Sequence, residues 1–463
     1  MKIQQSKDQP SDITPIEPVS VGSFRTVLRN RSFLLLWLAQ LLSQTVFNAA
    51  NYGVIAIVTA VTHSTVLVGV AIISFTLPAV PFSLLAGVYV DYLDKRLVLW
   101  VSNALRALAT GLIVVALLWN SQSLVPLYIL AFLISLITQF FMPAEASSIP
   151  LLVGKKDLVP ALSLFNITLT LAQAVGFLII GGLITSLFPP FTILLGTFSI
   201  HVQSYDVLFT FVAIVYVICT LLILAMPANA LQGHTQKHES VLSSLLGKQT
   251  WKIIGHDVKE TWDYIRSDHQ LMLSLLQVSF VSILLLVIGE LAGPFVVDVL
   301  RLPVQDMPII FAPAGIGLVV GGLIMPTLTQ RLGKERAITI GCICTAICLA
   351  LIPIARFSWS LLSLPALGAL LLVSGLTFFI GVSLDLVNIP AQAVMQERAP
   401  EQERGRVISF QSMFYNAGSI PVLLFAGAIA DILGIETVLF LLAAAILLFC
   451  WWAVRYSRRT SAA

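Results

Sequence analysis

The sequence predicts an all-α membrane protein: twelve transmembrane helices in two six-helix pseudo-repeats, with both termini cytoplasmic. Three observations carry this. The 463 residues are 58% hydrophobic and only 11% charged, where a soluble domain carries about a quarter charged residues. A chain of this size in water needs polar surface that this composition lacks, whereas hydrocarbon solvates an apolar exterior without penalty. Twelve apolar runs are long enough to cross about 30 Å of hydrocarbon. Finally, the basic residues fall on alternate loops.

Taken in order, residues 1–32 are polar, contain Pro10, Pro15 and Pro18, and are expected to form a disordered cytoplasmic tail. No short apolar core with a small-residue cleavage site follows, so the first run is expected to stay as an anchor. The runs cover 33–60, 65–90, 97–119, 123–142, 160–187 and 206–227, then 270–293, 305–329, 337–355, 361–386, 407–431 and 435–455. They define an N-terminal bundle (33–227), a linker (228–269), a C-terminal bundle (270–455) and a cytoplasmic tail (456–463). Pro78 and Pro81 should kink the second helix. With the amino terminus inside, inside segments hold 23 of the 26 Lys and Arg, Arg301 and Arg356 lie outside, and Arg106 lies within a span. Such a bias orients the chain in a cytoplasmic (inner) membrane with multiple passes.

In the linker, Trp251, Ile254, Val258, Trp262 and Ile265 recur at three- and four-residue spacing, with Lys252, Lys259, Glu260 and Arg266 off that face. This is an amphipathic helix expected along the membrane surface, tying the halves together. The halves also repeat each other. "PAEASSIPLLVGKK" from Pro143 matches "PAQAVMQERAPEQER" from Pro390, and "GVYVDYLDKR" from Gly87 matches "GLIMPTLTQR" from Gly322. Two parallel six-helix repeats are a transporter architecture, with a small-molecule substrate bound near the midplane.

Several classes are excluded. A net charge of +3, spread along the chain, is no nucleic-acid footprint. Cys219, Cys342, Cys344, Cys348 and Cys450 all lie in apolar runs, so neither a disulfide framework nor a metal site is expected. There is no constellation of nucleophile, base and orienting group, no phosphate loop and no nucleotide motif, so neither an enzyme nor a cofactor is expected. The expected partners are the lipid bilayer and a small-molecule substrate, with the chain itself a monomer.

Gly87, Asp91, Lys95 and Arg96 after the second span resemble motif A of the major facilitator superfamily. The phrases "LLLWLAQLLSQ", "VSNALRAL", "FMPAEASSIPLLV" and "QERGRVISF" are similar to its third drug:proton antiporter subgroup, which includes macrolide-efflux-like and enterobactin-exporter-like proteins; the likeness runs from Phe33 to Trp452. The resemblance implies proton-coupled efflux of an amphipathic organic compound by alternating access. The chain departs from the pattern at Tyr92, at Asp94, at Thr45 to Asn48, where many members carry a first-helix acid, and at Phe177, where the antiporter motif has Pro. An uncoupled facilitator or an importer on the same fold is therefore a rival reading, and a non-transporting receptor or scaffold is another.

The candidate residues follow. The resemblance places Asp91 opposite the start of the eleventh helix, where a helix amino terminus stabilises a carboxylate and Arg404 and Arg406 add charge. This suggests a cytoplasmic latch between the halves, although positive-inside placement already accounts for Lys95 and Arg96. Ionisable groups inside spans are costly and usually functional. These are Arg106, for a gate or a snorkelling role, and Glu290 and Asp385, for a proton or a cationic substrate. Asn48, Asn51, Asn166, Gln173 and Gln277 are candidates to bond substrate or a neighbouring helix.

Overall fold

The computed structural model describes residues 24–120, 123–154, 157–195, 198–227, 230–231, 259–362, 366–399 and 404–461. Among them are twelve helices long and apolar enough to cross a membrane. In order these spans are Arg31–Thr62, Thr65–Ser83, Lys95–Trp119, Leu124–Leu152, Pro160–Leu187 and Ser204–Leu224. The second six are His269–Val299, Met307–Met325, Lys334–Ile354, Leu370–Arg398, Arg406–Leu433 and Ile435–Arg458. Following the basic residues, we call the face carrying the termini the inner face.

The span starts are written in the sequence as caps. A helix leaves its first N–H groups without intrahelical partners, and short polar side chains supply acceptors. Asn30 accepts from Ser32 and Phe33, Ser64 from Leu67, Asp94 from Arg96 and Leu97, and Asp268 from Gln270 and Leu271. Asp94, which departs from the motif pattern, is thus the cap of the third span. The second span breaks where its prolines predict, into helices Thr65–Thr76 and Ala79–Tyr92.

The fifth span holds a π-helical turn, Val175–Ile180. It falls where Gly176 lies against the Thr45 carbonyl oxygen, so closely that a β-carbon there would overlap it. Between spans five and six, at the outer face, strand β1 (Phe191–Leu195) pairs antiparallel with β2 (Phe198–Val202), Phe191 opposite Val202. Counting long apolar runs left this hairpin unassigned. Its β-branched and aromatic content favours a strand, but the segment is too short to register as a span.

Of the linker, Trp251, Ile254 and Val258 lie outside the described residues, while 259–267 are helical. Ile265 is buried against Leu271, Leu275, Met395 and Val407, and the Trp262 ring lies 5.7 Å from that of Phe410. The described end of the apolar stripe therefore seats on the C-terminal half, against spans seven, ten and eleven.

Within that half, spans eight and ten approach backbone to backbone. A β-carbon on Gly317 would overlap the Phe378 carbonyl oxygen, and one on Gly381 would overlap that of Ala314. Small residues permit this close packing, which stands in for the hydrophobic drive that lipid does not supply. Gly317→Leu should cost more than the roughly 1–3 kcal/mol of a core that can relax around an added group, because backbone stands in the way. Loss of the monodisperse peak in size-exclusion chromatography is the expected result; a wild-type peak with unchanged thermal stability would contradict it.

Candidate functional site

The two halves meet most closely toward the outer face, at small residues. Span five meets span eight where Gly182 lies against the Pro308 ring, and span one meets span seven where Thr59 lies against Gly293. Span two meets span eleven at Gly427: a β-carbon there would stand 2.8 Å from Val66 Cα and 2.7 Å from Glu290 Oε1. Gly69 of span two faces Glu290 so tightly that a β-carbon would overlap the same oxygen. Glu290 is 0% exposed, and neither carboxyl oxygen has a hydrogen-bond partner. A carboxyl group is thus sealed in the seam between glycines from both halves.

One helical turn outward from Gly427 on the same face, Asp431 closes the seam. Its carboxylate accepts from Ser64 Oγ at 2.7 Å, from the Thr65 N–H at 2.6 Å and from the Val66 N–H at 3.3 Å. These are the free donors at the amino end of span two, where the helix dipole favours an anion. The sequence reading missed Asp431. The carboxylate and the Ser64 hydroxyl that it meets lie 367 residues apart in the chain, beyond the reach of any local pattern. Asp431→Ala should raise outer-face accessibility, read as faster labelling of a cysteine placed at Val66, whose contact with Asp431 is through the backbone N–H alone; labelling at the rate seen with Asp431 present would remove Asp431 from the closure.

Spans two and eleven also pack along the inner segment of span two, residues 79–92. Gly87, Asp91 and Arg404, expected at this end, and Asn166 are described in backbone only. Arg406 lies 3.9 Å from Glu260 of the linker helix. Arg96 donates to the Leu224 carbonyl at 2.7 Å, fastening span three to the end of span six within one half; Lys95 is half-buried at the start of span three.

The remaining candidates separate by place. Arg106, 1% exposed, points into the interior of the N-terminal bundle. It donates to Ser43 Oγ at 2.9 Å, and its guanidinium lies 4.3 Å from the centroid of Phe141. Asp385 is half-buried between spans ten and eight, against Gly321 and Gly322. Asn48 donates to the Gln44 carbonyl of its own helix at 2.8 Å. Asn51 keeps a buried, unpartnered amide oxygen, and Gln173 is exposed. Gln277 is buried and lines a cavity of about 570 Å³ among spans seven, nine and twelve at the inner face, with His269, Lys334 and Arg336. The sequence reading also passed over Glu145, which is 0% exposed.

Twelve spans whose halves meet around a buried carboxyl define a membrane transporter of small molecules. The family model of the Major Facilitator Superfamily matches residues 36–420 and 357–463, and the chain belongs to that superfamily. It is a transporter and not an enzyme. No curated protein sequence matches the chain significantly. Among solved structures, the nucleoside transporter NupG superposes with a TM-score of 0.65 at 14% identity, covering 92% of this chain and 99% of its own. A bacterial homologue of the iron transporter ferroportin in an inward-facing state gives 0.66 at 16%, covering 93% and 99%. A bacterial homologue of the human lysosomal transporter Spinster, inward-facing and occupied, gives 0.66 at 12%, covering 93% and 97%. At these identities the likeness is one of fold.

Proposed function

We propose that the protein is a secondary active transporter of the cytoplasmic membrane that exports an amphipathic organic compound, a drug or a siderophore-like metabolite, in exchange for protons. The observation that carries this is Glu290, sealed without a partner in the seam between the halves. A bare carboxylate in such a place is costly, so closure of the seam calls for a proton or a cationic substrate on that group. When the seam parts, the carboxyl meets outside water, gives up its substrate and takes a proton. When the seam closes, the proton is carried toward the inside. The export direction and the cargo class rest on resemblance to the third drug:proton antiporter subgroup.

The linker helix ties the halves on the cytoplasmic side, and Asp91 acts there as a latch against the eleventh span, with Arg404 and Arg406 beside it. Asp91→Asn should leave expression intact and lower transport severalfold, because removing about 1 kcal/mol of bias between states changes their ratio roughly fivefold. Undiminished flux at equal protein levels would remove the latch.

A second reading, an uncoupled facilitator or importer, is favoured by the first span. Thr45 and Asn48 stand where many subgroup members carry an acid, and both bond carbonyls of their own helix, those of Leu41 and Gln44. The two readings part in proteoliposomes with an imposed proton gradient and internal pH recorded, to which lipophilic cations, macrolides and siderophores are added in turn. Substrate-dependent proton movement supports exchange. Labelled substrate equilibrating with no proton movement supports the facilitator, and no flux of any compound supports a receptor or scaffold.

A further inference from the structure

The interior of the N-terminal bundle holds a polar cluster that the seam does not use. Arg106 of span three has one hydrogen bond, to Ser43, and its Nε and Nη2 have none. Both carboxyl oxygens of Glu145, on span four, have no partner. Around them Gln40 of span one has neither amide atom bonded, and the Asn103 amide nitrogen and the Tyr216 hydroxyl are unbonded too. All five side chains are buried. Buried polar groups in native proteins are nearly always paired, so this many unpaired atoms in one bundle interior call for a cause. Arg106 and Glu145 carry opposite formal charges yet make no ion pair within 4.0 Å in this state. The guanidinium lies instead over Phe141, one turn from Glu145 on the same helix.

We propose that Glu145 is a second carboxyl that exchanges a proton during the transport cycle, with Arg106 as its counter-charge. In one state the carboxylate pairs with the free Nε and Nη2 of Arg106. In the other, represented by this structure, Glu145 holds a proton taken from inner-face water, the pair is parted, and Arg106 rests on Ser43 and Phe141. Only the proton moves, and the guanidinium stays charged throughout. Because spans one, three, four and six supply the cluster, the re-pairing shifts helices within one half, where Glu290 acts between halves. The other ionisable groups on the helices packed around Glu145 are few. Span six brings Tyr216 and Cys219, with Tyr205 and Asp206 at its outer end, span three adds Lys95 and Arg96 at its inner end, the inner segment of span two carries Tyr89, Asp91 and Tyr92, span one brings only neutral Gln40, Ser43 and Gln44 at this depth, and span five brings none.

The internal repeat supports the choice of residue. Glu145 in "PAEA" corresponds to Gln392 in "PAQA" of the second half, where the amide donates to Asn388 Oδ1 at 3.1 Å. The architecture accepts a neutral amide at this position, so Glu145→Gln should fold.

The inference rests on the transport reading for its place in the cycle, but its test does not need a substrate. Infrared difference spectra are recorded on the purified protein in lipid vesicles as the pH is stepped, in light and heavy water. With the steps kept above the range in which exposed carboxyls titrate, about pH 4, the expected spectrum contains a carboxylic C=O band with one component lost in Glu145→Gln and another lost in Glu290→Gln. Glu145→Asp should keep its component at a shifted frequency, which serves if the Gln variant fails to fold. A spectrum unchanged in Glu145→Gln, an unshifted band in Glu145→Asp, or no titrating band at all would overturn the proposal. Loss of the Glu145 component alone would sustain this inference while removing Glu290 from the coupling reading.

Discussion

Gly427→Val should reduce transport by roughly five- to 150-fold and leave the protein biased toward an open outer face. The β-carbon alone would press to 2.8 Å from Val66 Cα and 2.9 Å from Val66 N, which are backbone atoms, and to 2.7 Å from Glu290 Oε1. A flexible side chain can swing aside, but a helix backbone cannot do so without the whole span moving. Overpacking of this kind costs about 1–3 kcal/mol. Here the cost falls on one state only, since Gly427 and Val66 belong to different halves and separate when the outer seam opens. A penalty confined to the closed state shifts the equilibrium by the corresponding factor of roughly 5–150. Distance measurements between spin labels at the outer ends of spans two and eleven should show the longer population enriched. Gly111→Val, where nothing lies within 4 Å of a β-carbon, should leave both flux and distances unchanged. Equal behaviour of the two variants would mean that the seam does not open at Gly427.

The fold was legible because its cause is written in single residues. Hydrocarbon length fixes run length, and Pro78 breaks the second span without help from tertiary contacts. Caps such as Asn30 and Asp268 are likewise local. The seam was only half legible, for a physical reason. Glu290 stood out because a carboxyl within a span is costly wherever it points. Asp431 did not, because an acid beside a span end is cheap unless something far along the chain meets it. Glu145 lies in the repeated Pro-Ala-x-Ala stretch, just beyond the apolar run that ends at 142, whereas the helix continues to Leu152. Arg106 was singled out for its depth, but periodicity could not say which of its neighbours it would face. Asn48 shows the opposite case. The residue type allows a substrate contact, whereas the Gln44 carbonyl one turn back already takes its amide.

Glu290→Gln should uncouple flux from the proton gradient while leaving downhill movement of a neutral substrate in place. The argument turns on what the amide preserves. It keeps the volume that fits between Gly69 and Gly427, so the seam still closes, and it adds no charge that closure must neutralise. It removes the buried carboxyl that can hold a proton in one state and release it in another. An antiporter so altered exchanges its substrate across the membrane but no longer concentrates it. In proteoliposomes, substrate-dependent pH change should vanish while labelled substrate still equilibrates. Glu290→Ala separates packing from protonation: it takes away the carboxyl and also leaves a void beside two glycines, so it should lower thermal stability where Glu290→Gln does not, large-to-small changes in a packed interior costing about 2–5 kcal/mol. Proton movement persisting at the wild-type rate in Glu290→Gln would transfer the coupling to another carboxyl. Asp385, between spans ten and eight, and Glu145, beside Arg106, would then be the groups to test, and the seam carboxyl would be left with closure alone.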